Sequence, residues 1–557
     1  MKPQPTNPLI VQSDSTLLLE TQHPLFASAR TAIVPFAELH KSPEYIHTYR
    51  LTPLSLWNAA ATGMTAAEMI ARLAQFARYT IPTIVVQQIQ EIAGRWGRLT
   101  LRVIDETLQL QSSDPVLLRE LLRHPEIQNV CGVPLGTQSV AVHPEQRGVL
   151  KQALVALGWP VDDQAGYTEG EQLVLQLRPT LTIRDYQAQA VDAFYADGSF
   201  RGGSGVIVLP PGSGKTVVGI AVLARLQQSV LVLTTSRTSI EQWRRELLSR
   251  TTLAAAHIVE YRGLGNQLAP VTLATYQMLT YRRASDDDFP HLGLFQGRNW
   301  GLIIYDEVHT LPAPIFRMTA SIQALRRLGL TATLVREDGR EVDVFALIGP
   351  KKFDLPWLDL AERGWIATAQ CCEVRVALPD EERMAYAVAE RRVQHRIAAE
   401  NPRKLPLVRA ILQRHSLAPT LIIGQYLEQL QYVADNLAVP LITGKTPQSE
   451  RERLFEAFRR GEEPLLVISK VGNFAIDLPD AEVLIQISGA FGSRQEEAQR
   501  LGRVLRPKAD QRQAFFYTLV SRDTTELDFA HSRQLFLAEQ GYRYTILAAS
   551  DLLPPRG

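Results

Sequence analysis

Between Leu51 and Trp96 apolar residues recur every three to four positions, at Leu54, Leu56, Trp57, Ala60, Met64, Met69, Ile70, Leu73 and Phe76. That spacing predicts helices with one buried stripe. Thr52-Pro53 and Thr65-Ala-Ala-Glu68 read as helix starts, and a second apolar stretch, 84–92, follows Pro82. Over 99–175 the texture changes to short strand-like runs (99–104, 107–111, 139–142 and 172–177) mixed with short helices, which predicts a small α+β module. From Val206 onward, runs apolar on both faces alternate with helical segments: 206–209, 230–235, 271–275, 302–306 and 328–331, then 420–423, 440–442, 465–468, 483–487 and 515–519. Buried parallel strands read this way. Two such sets in succession predict two doubly wound α/β domains. The segment between them, about 380–404, is helical and charged, with Arg391, Arg392, Arg396, Arg403 and Lys404.

Composition changes this picture little. Lysine and arginine exceed aspartate and glutamate by one over 557 residues. The first 178 residues carry a net −2 and the remainder +3, so nucleic-acid binding would come from local stripes and not from a global field. Cys131, Cys371 and Cys372 form no CxxC pair, which argues against a disulfide framework or a four-cysteine cluster. No apolar run reaches the roughly 18 residues of a membrane span. The first 15 residues, rich in Pro, Gln, Asn and Ser, lack the apolar core of a secretory signal. The cytoplasm is the expected location.

The chemistry lies in a few short strings. Leu209-Pro-Pro-Gly-Ser-Gly-Lys-Thr216 follows a strand-like run and opens a helix-like one, the context a phosphate loop requires. The turn of Pro211, Gly212, Ser213 and Gly214 is expected to bind the nucleotide, with backbone amides of the glycine-rich turn and the helix start cradling phosphates. Lys215 would reach the β- and γ-phosphates of ATP, and Thr216 would bind Mg²⁺. Leu209 stands where the usual pattern has its first glycine. In Leu302-Ile-Ile-Tyr-Asp-Glu-Val-His309 four apolar or aromatic residues end in two carboxylates, the first of them, Asp306, 91 residues after Lys215. Asp306 would hold Mg²⁺ and Glu307 would polarise the attacking water. Upstream, Arg184 and Gln187 lie in Ile183-Arg-Asp-Tyr-Gln-Ala-Gln-Ala-Val191, with Gln187 28 residues before Lys215. A glutamine amide can both donate to and accept from adenine. The second α/β set has no phosphate loop but carries Gln499-Arg-Leu-Gly-Arg-Val-Leu-Arg506, in which Arg503 and Arg506 share a helical face suited to a γ-phosphate. Gly472 and Asp477 follow a strand at a position fit for coupling two domains.

In their order these strings resemble superfamily 2 helicases, with Thr331-Ala-Thr333 between the Asp-Glu pair and the arginines. The string Leu328-Gly-Leu-Thr-Ala-Thr-Leu-Val-Arg-Glu-Asp338, followed by Ile348-Gly-Pro-Lys351, is similar to the XPB family. So are Pro312-Ala, Phe316 and Gln370-Cys-Cys-Glu-Val374. The resemblance implies an α/β chain with two tandem RecA-like P-loop motor domains. A mostly helical N-terminal domain over 1–104 and a small damage-recognition-like module over 105–177 precede them. The motor domains are expected over 178–370 and 371–557, with a short basic thumb at about 381–400. It implies ATP and Mg²⁺ in a cleft between motor domains, 3′→5′ movement on DNA, and Arg336, Glu337 and Asp338 held against DNA. Further DNA contacts are expected at Thr235, Ser236 and Arg237, and at Thr275, Tyr276 and Gln277, mainly to phosphates. The resemblance points to a monomer in DNA repair, with single-stranded or forked DNA as partner and a separate repair protein or nuclease alongside. A double-stranded DNA translocase that does not unwind, and a nucleotide-gated binding module with little hydrolysis, remain as alternatives.

Overall fold

Thr52 and Thr65 begin helices by reciprocal capping. Thr52 Oγ1 accepts from the Ser55 N–H while Ser55 Oγ accepts from the Thr52 N–H, and Thr65 and Glu68 repeat the exchange. Each box satisfies amides that a helix start otherwise leaves open. The computed structural model describes residues 6–553 except 43–44, 200, 211, 266, 283–288, 333, 335–338, 356–359, 361–368, 417, 470–480, 490–513, 529, 531–533, 535–536 and 538–543. The chain forms two compact units, residues 1–209 with 214–354, and residues 210–213 with 355–557.

The first unit begins with an antiparallel sheet in the order β1-β2-β4-β3: β1 (Leu9–Val11), β2 (Thr16–Glu20), β3 (Glu38–Lys41) and β4 (Ile46–Arg50). Helices α1 (Phe26–Ile33), α2 (Pro53–Ala61), α3 (Ala66–Phe76) and α4 (Thr83–Ala93) accompany it. The N-terminal region expected to be mostly helical therefore also carries a four-stranded sheet, whose strands of three to five residues are too short for alternation to stand out. Trp57 and Trp96 seat this region on the motor through Phe345, at ring-centroid distances of 6.3 and 5.9 Å.

A second sheet, β7-β8-β6-β5-β9, comprises β5 (Leu99–Ile104), β6 (Thr107–Ser112), β7 (Cys131–Pro134), β8 (Ser139–Val142) and β9 (Val161–Asp163). It shares a core of Leu101, Leu110, Leu118, Leu150 and Leu154 with α5 (Pro115–Leu121), α6 (Pro125–Gln128) and α7 (Arg147–Ala156). The module thus starts at residue 99, because β5 pairs with β6 along its whole length, and not at 105. Nor is 172–177 a strand of it. After Asp163 the chain runs as a strap over the motor, with Thr168, Glu171, Leu173 and Arg178 N–H groups donating to the carbonyls of Ala324, Asn299, Gln227 and Arg250. Alternating apolar residues serve such a strap as well as they serve a strand.

The rest of the first unit is a seven-stranded parallel sheet in the order β12-β13-β11-β14-β15-β10-β16. Its strands are β10 (Ser204–Val208), β11 (Val230–Thr234), β12 (Ile258–Glu260), β13 (Val271–Thr275), β14 (Leu302–Asp306), β15 (Arg326–Thr331) and β16 (Lys351–Asp354). The intervening helices are α8 (Asp185–Tyr195), α9 (Lys215–Leu226), α10 (Arg237–Arg250), α11 (Tyr276–Leu279), α12 (Ala313–Ser321) and α13 (Glu341–Leu347).

The second unit holds another seven-stranded parallel sheet, β19-β20-β18-β21-β22-β17-β23. It consists of β17 (Ala369–Val376), β18 (Thr420–Gly424), β19 (Leu441–Ile442), β20 (Leu465–Ser469), β21 (Val483–Gln486), β22 (Ala514–Ser521) and β23 (Tyr544–Ala548). Numbered within itself, each sheet has the order 3-4-2-5-6-1-7, so the doubling of the hydrophobic pattern is a doubling of topology. At the expected thumb stand two helices, α14 (Asp380–Val388) and α15 (Arg391–Ala399). The first opens on three acids, which suits a helix N-terminus, so the basic character belongs to the second.

Candidate nucleotide site and nucleic-acid face

Three adjacent strands end at one edge of the first motor sheet. β15 lies between β14 and β10, with Thr331 opposite Val208 and Leu330 opposite Asp306. In parallel sheets the carboxyl edge is where ligands bind. From β10 the chain turns through Gly212 and Gly214, at φ values of 79° and 84°, a region that side chains beyond glycine rarely enter. Ser213 Oγ donates to Pro210 O at 2.5 Å and closes the turn. Lys215 and Thr216 then open α9, a 12-residue helix whose N-cap, Gly214, offers no side-chain acceptor to its first amides. Such an end suits an anion.

Asp306 closes β14, and Glu307 follows in the left-handed region at φ 52°, ψ 53°, a strained conformation for a residue with a side chain. The turn is tied by the Thr310 N–H and hydroxyl, both donating to Glu307 O. It sets Glu307 Oε1 3.6 Å from Lys215 Nζ and Glu307 Oε2 3.6 Å from His309 Nδ1. His309 Nδ1 also lies 2.7 Å from Thr331 Oγ1. Lys215, Glu307, His309 and Thr331, from three strand ends, therefore form one cluster. Burial, and after it the charge of Glu307, push the Asp306 carboxyl up to about 6, against the pull of a hydrogen bond from Trp243.

Gln187, the third residue of α8, is 4 % exposed. Its Oε1 accepts the Arg184 N–H at 3.0 Å. A Cβ built on Gly214 would lie 2.6 Å from its Nε2, so Gln187 stands beside the phosphate loop. Arg184 donates to the Tyr186 hydroxyl at 3.1 Å. Of the residues expected on nucleic acid, Thr235, Arg237 and Gln277 are exposed and Ser236 and Thr275 half-buried. Ser236 and Thr275 cap α10 and α11, and Arg237 pairs with Glu260 at 3.2 Å. Tyr276 departs from the expectation. It is buried, and its hydroxyl donates to Asp306 O at 2.8 Å, because the first turn of α11 folds its ring inward. Pro211, Thr333, Arg336, Glu337, Asp338, Gly472, Asp477, Gln499, Arg503 and Arg506 lie outside the described residues. Sequence reasoning missed Trp243, whose Nε1 donates to Asp306 Oδ2 at 2.9 Å. A tryptophan on an amphipathic helix signals core, and only its indole N–H hints at more.

A glycine-lined loop and an Asp-Glu pair at one sheet edge, with a second sheet of the same topology, define a two-sheet P-loop NTPase. A family model described as the ERCC3/RAD25/XPB C-terminal helicase matches residues 360–553, and one described as the type III restriction enzyme res subunit matches 180–336. A third, the helicase conserved C-terminal domain, matches 9–135, which here is the antiparallel sheet, its helices and part of the module. The chain is 54 % identical over 548 residues to a Kineococcus radiotolerans protein named DNA 3'-5' helicase XPB, covering 98 % of this chain and 97 % of the relative. A Mycobacterium tuberculosis protein of the same name is 52 % identical, covering 98 % and 99 %. A Schizosaccharomyces pombe protein named as the general transcription and DNA repair factor IIH helicase/translocase subunit XPB is 33 % identical, covering 96 % and 75 %. The chain belongs to the XPB helicase family.

Proposed function

We propose that this chain is an ATP-dependent 3′–5′ DNA helicase or translocase that works in DNA repair. The observation that carries the proposal is the meeting of Lys215 with Glu307, beside Asp306, at the ends of β10 and β14, the two parallel strands that flank β15. Members of the family use ATP. In this chain the turn at Gly212–Gly214 and the first amides of α9 would take its phosphates, with Lys215 supplying a fixed positive charge. Thr216 and Asp306 would hold Mg²⁺, which when bound neutralises charge building on the phosphates. Among the described residues, the half-buried Asp306 carboxylate and the Thr216 hydroxyl at the start of α9 are hard oxygen donors that fit such an ion. Glu307 orients the attacking water and accepts its proton, and the His309–Thr331 contact ties this residue pair to the end of β15.

DNA is the partner that accompanies family membership. Ser236, Arg237 and Thr275, at the open ends of α10 and α11, would meet its phosphates. Arg336, Glu337 and Asp338 would act near the point of strand separation. A separate repair protein completes the assembly.

ATP hydrolysis measured side by side with single-stranded DNA, duplex DNA and RNA tests this. Single-stranded DNA should stimulate turnover, and Glu307→Gln should retain nucleotide binding while slowing hydrolysis by about 10² or more. Lys215→Ala should weaken nucleotide binding itself. Stimulation by duplex without unwinding of a 3′-tailed substrate would make the chain a translocase only. Turnover indifferent to any nucleic acid would remove the motor assignment.

A further inference from the structure

Asp306 is held from two helices. Trp243 Nε1 donates to its Oδ2 at 2.9 Å, and the Tyr276 hydroxyl donates to its main-chain carbonyl at 2.8 Å. Trp243 and Tyr276 are 1 % and 5 % exposed, so neither donor is free to follow the carboxylate if it turns. The indole is wedged against α9. A Cβ on Gly219 would lie 2.6 Å from Trp243 Cη2 and 3.2 Å from Leu330 Cδ1, so the helix that follows the phosphate loop carries a glycine where the ring rests.

The two donors sit on the elements whose outer ends face solvent. α10 begins at Arg237 beneath its Ser236 cap, and Trp243 follows two turns later, about 10 Å along the axis. Tyr276 is the residue after Thr275, the cap of α11. Each segment assigned to DNA therefore leads, through one rigid turn or two, to a hydrogen bond on the same aspartate. Hydrogen bonds of this kind weaken steeply with distance and angle. A movement of α10 or α11 of well under 1 Å is enough to change how Asp306 is held.

We infer that Trp243 and Tyr276 are positioning residues that fix Asp306 for the metal and carry DNA contact at Ser236, Arg237 and Thr275 to it. The indole on Oδ2, together with the Glu307 main-chain N–H, fixes which lone pairs of the carboxylate can meet the ion or its water. Losing a partner that orients a metal-binding group typically weakens metal affinity about 10- to 100-fold. The inference rests on the assignment of Asp306 to Mg²⁺ and of those three residues to DNA.

The test is equilibrium binding of a fluorescent ATP analogue to the full chain, titrated with MgCl₂ in the presence and absence of single-stranded DNA. Trp243→Phe should raise the Mg²⁺ concentration for half-saturation about tenfold and leave the affinity measured without Mg²⁺ unchanged. DNA should shift the half-saturation point of the unmodified chain, and the shift should be lost in both Trp243→Phe and Tyr276→Phe. An unmoved half-saturation point in Trp243→Phe overturns the positioning role. A DNA shift retained in both variants, or absent from the unmodified chain, overturns the transmission. Asp306→Asn separates the inference from its foundation: if that change leaves the Mg²⁺ dependence intact, the metal assignment itself is wrong. A purely structural role for the two rings would lower the melting temperature without moving the Mg²⁺ titration. Should Trp243→Phe not fold, Tyr276→Phe, which deletes one hydroxyl, still decides the transmission.

Discussion

The side-chain amide of Gln187 occupies the space that a side chain on Gly214 would need: a Cβ there would sit 2.6 Å from Gln187 Nε2. The glutamine thus touches the phosphate loop from the helix upstream, while its Oε1 is steadied by the Arg184 N–H. A glutamine amide carries both a donor and an acceptor, the pair of complementary functions that adenine requires. Gln187→Ala should reduce kcat/KM for ATP by about tenfold, the value of roughly 1–3 kcal/mol for such a bidentate contact, and leave GTP nearly unaffected. The two nucleotides compared on both proteins give the result directly. Equal use of ATP and GTP by the unmodified chain would remove the base-reading role.

How far the sequence reveals this molecule depends on the element. Nine of the ten strands read from the sequence lie inside a sheet and announce themselves because both faces are buried, β19 being the edge strand among them, and the caps at Thr52 and Thr65 because their chemistry is local. Strands β12, β16, β17 and β23 escape: β12, β16 and β23 have three to five residues and lie at sheet edges, where one apolar face suffices, and in β17 Gln370, Glu373 and Arg375 interrupt the apolar run. The phosphate loop and Asp306-Glu307 are legible because phosphate chemistry demands particular residues in order. Trp243 and the inward turn of Tyr276 are not, since both depend on which helices the fold brings to Asp306, a tertiary fact with no local trace.

Gly148 tests how the module is joined to the motor. It lies in α7, and a Cβ at this position would come within 2.3 Å of Ala320 O and 2.6 Å of Ala320 Cα. Both are backbone atoms at the end of α12, which cannot swing aside as a side-chain tip could. In an open helix, alanine is preferred to glycine by about 1 kcal/mol. Here Gly148→Ala should instead destabilise the protein by about 1–3 kcal/mol, as overpacking does. Faster proteolytic cleavage in the strap over residues 164–184 should accompany the loss. A variant more stable than its parent in chemical denaturation would mean that α7 and α12 are free to separate.

Asp163 ties the same junction electrostatically, and its pH signature is distinctive. Arg147 Nη2 meets its Oδ1 at 2.7 Å, Lys151 Nζ meets its Oδ2 at 3.0 Å, and Lys151 also donates to Gln323 Oε1 on the motor at 2.7 Å. Burial alone would raise the Asp163 carboxyl; the charges and hydrogen bonds of Lys151 and Arg147 outweigh it and hold the group well below its ordinary 3.8. Burial acts on Lys151 too and brings it down to about 8 in spite of Asp163. Removing the acid leaves buried cations uncompensated, so Asp163→Asn should cost about 3–5 kcal/mol near neutral pH. The sign with pH follows from proton counting. Below 3.8 the unfolded carboxyl binds a proton that the native one refuses, so the contribution of Asp163 is complete above that value and drains away as the pH falls beneath it. The difference in melting temperature between parent and variant should therefore narrow as the pH falls below 3.8 toward pH 3; the comparison is made on the acid side of about pH 5, because Lys151 loses the support of Asp163 in the variant and does not cancel nearer neutrality. A gap that stays constant through pH 3 would mean that Asp163 is as easily protonated in the folded chain as in the unfolded one, and that the junction is held by packing alone.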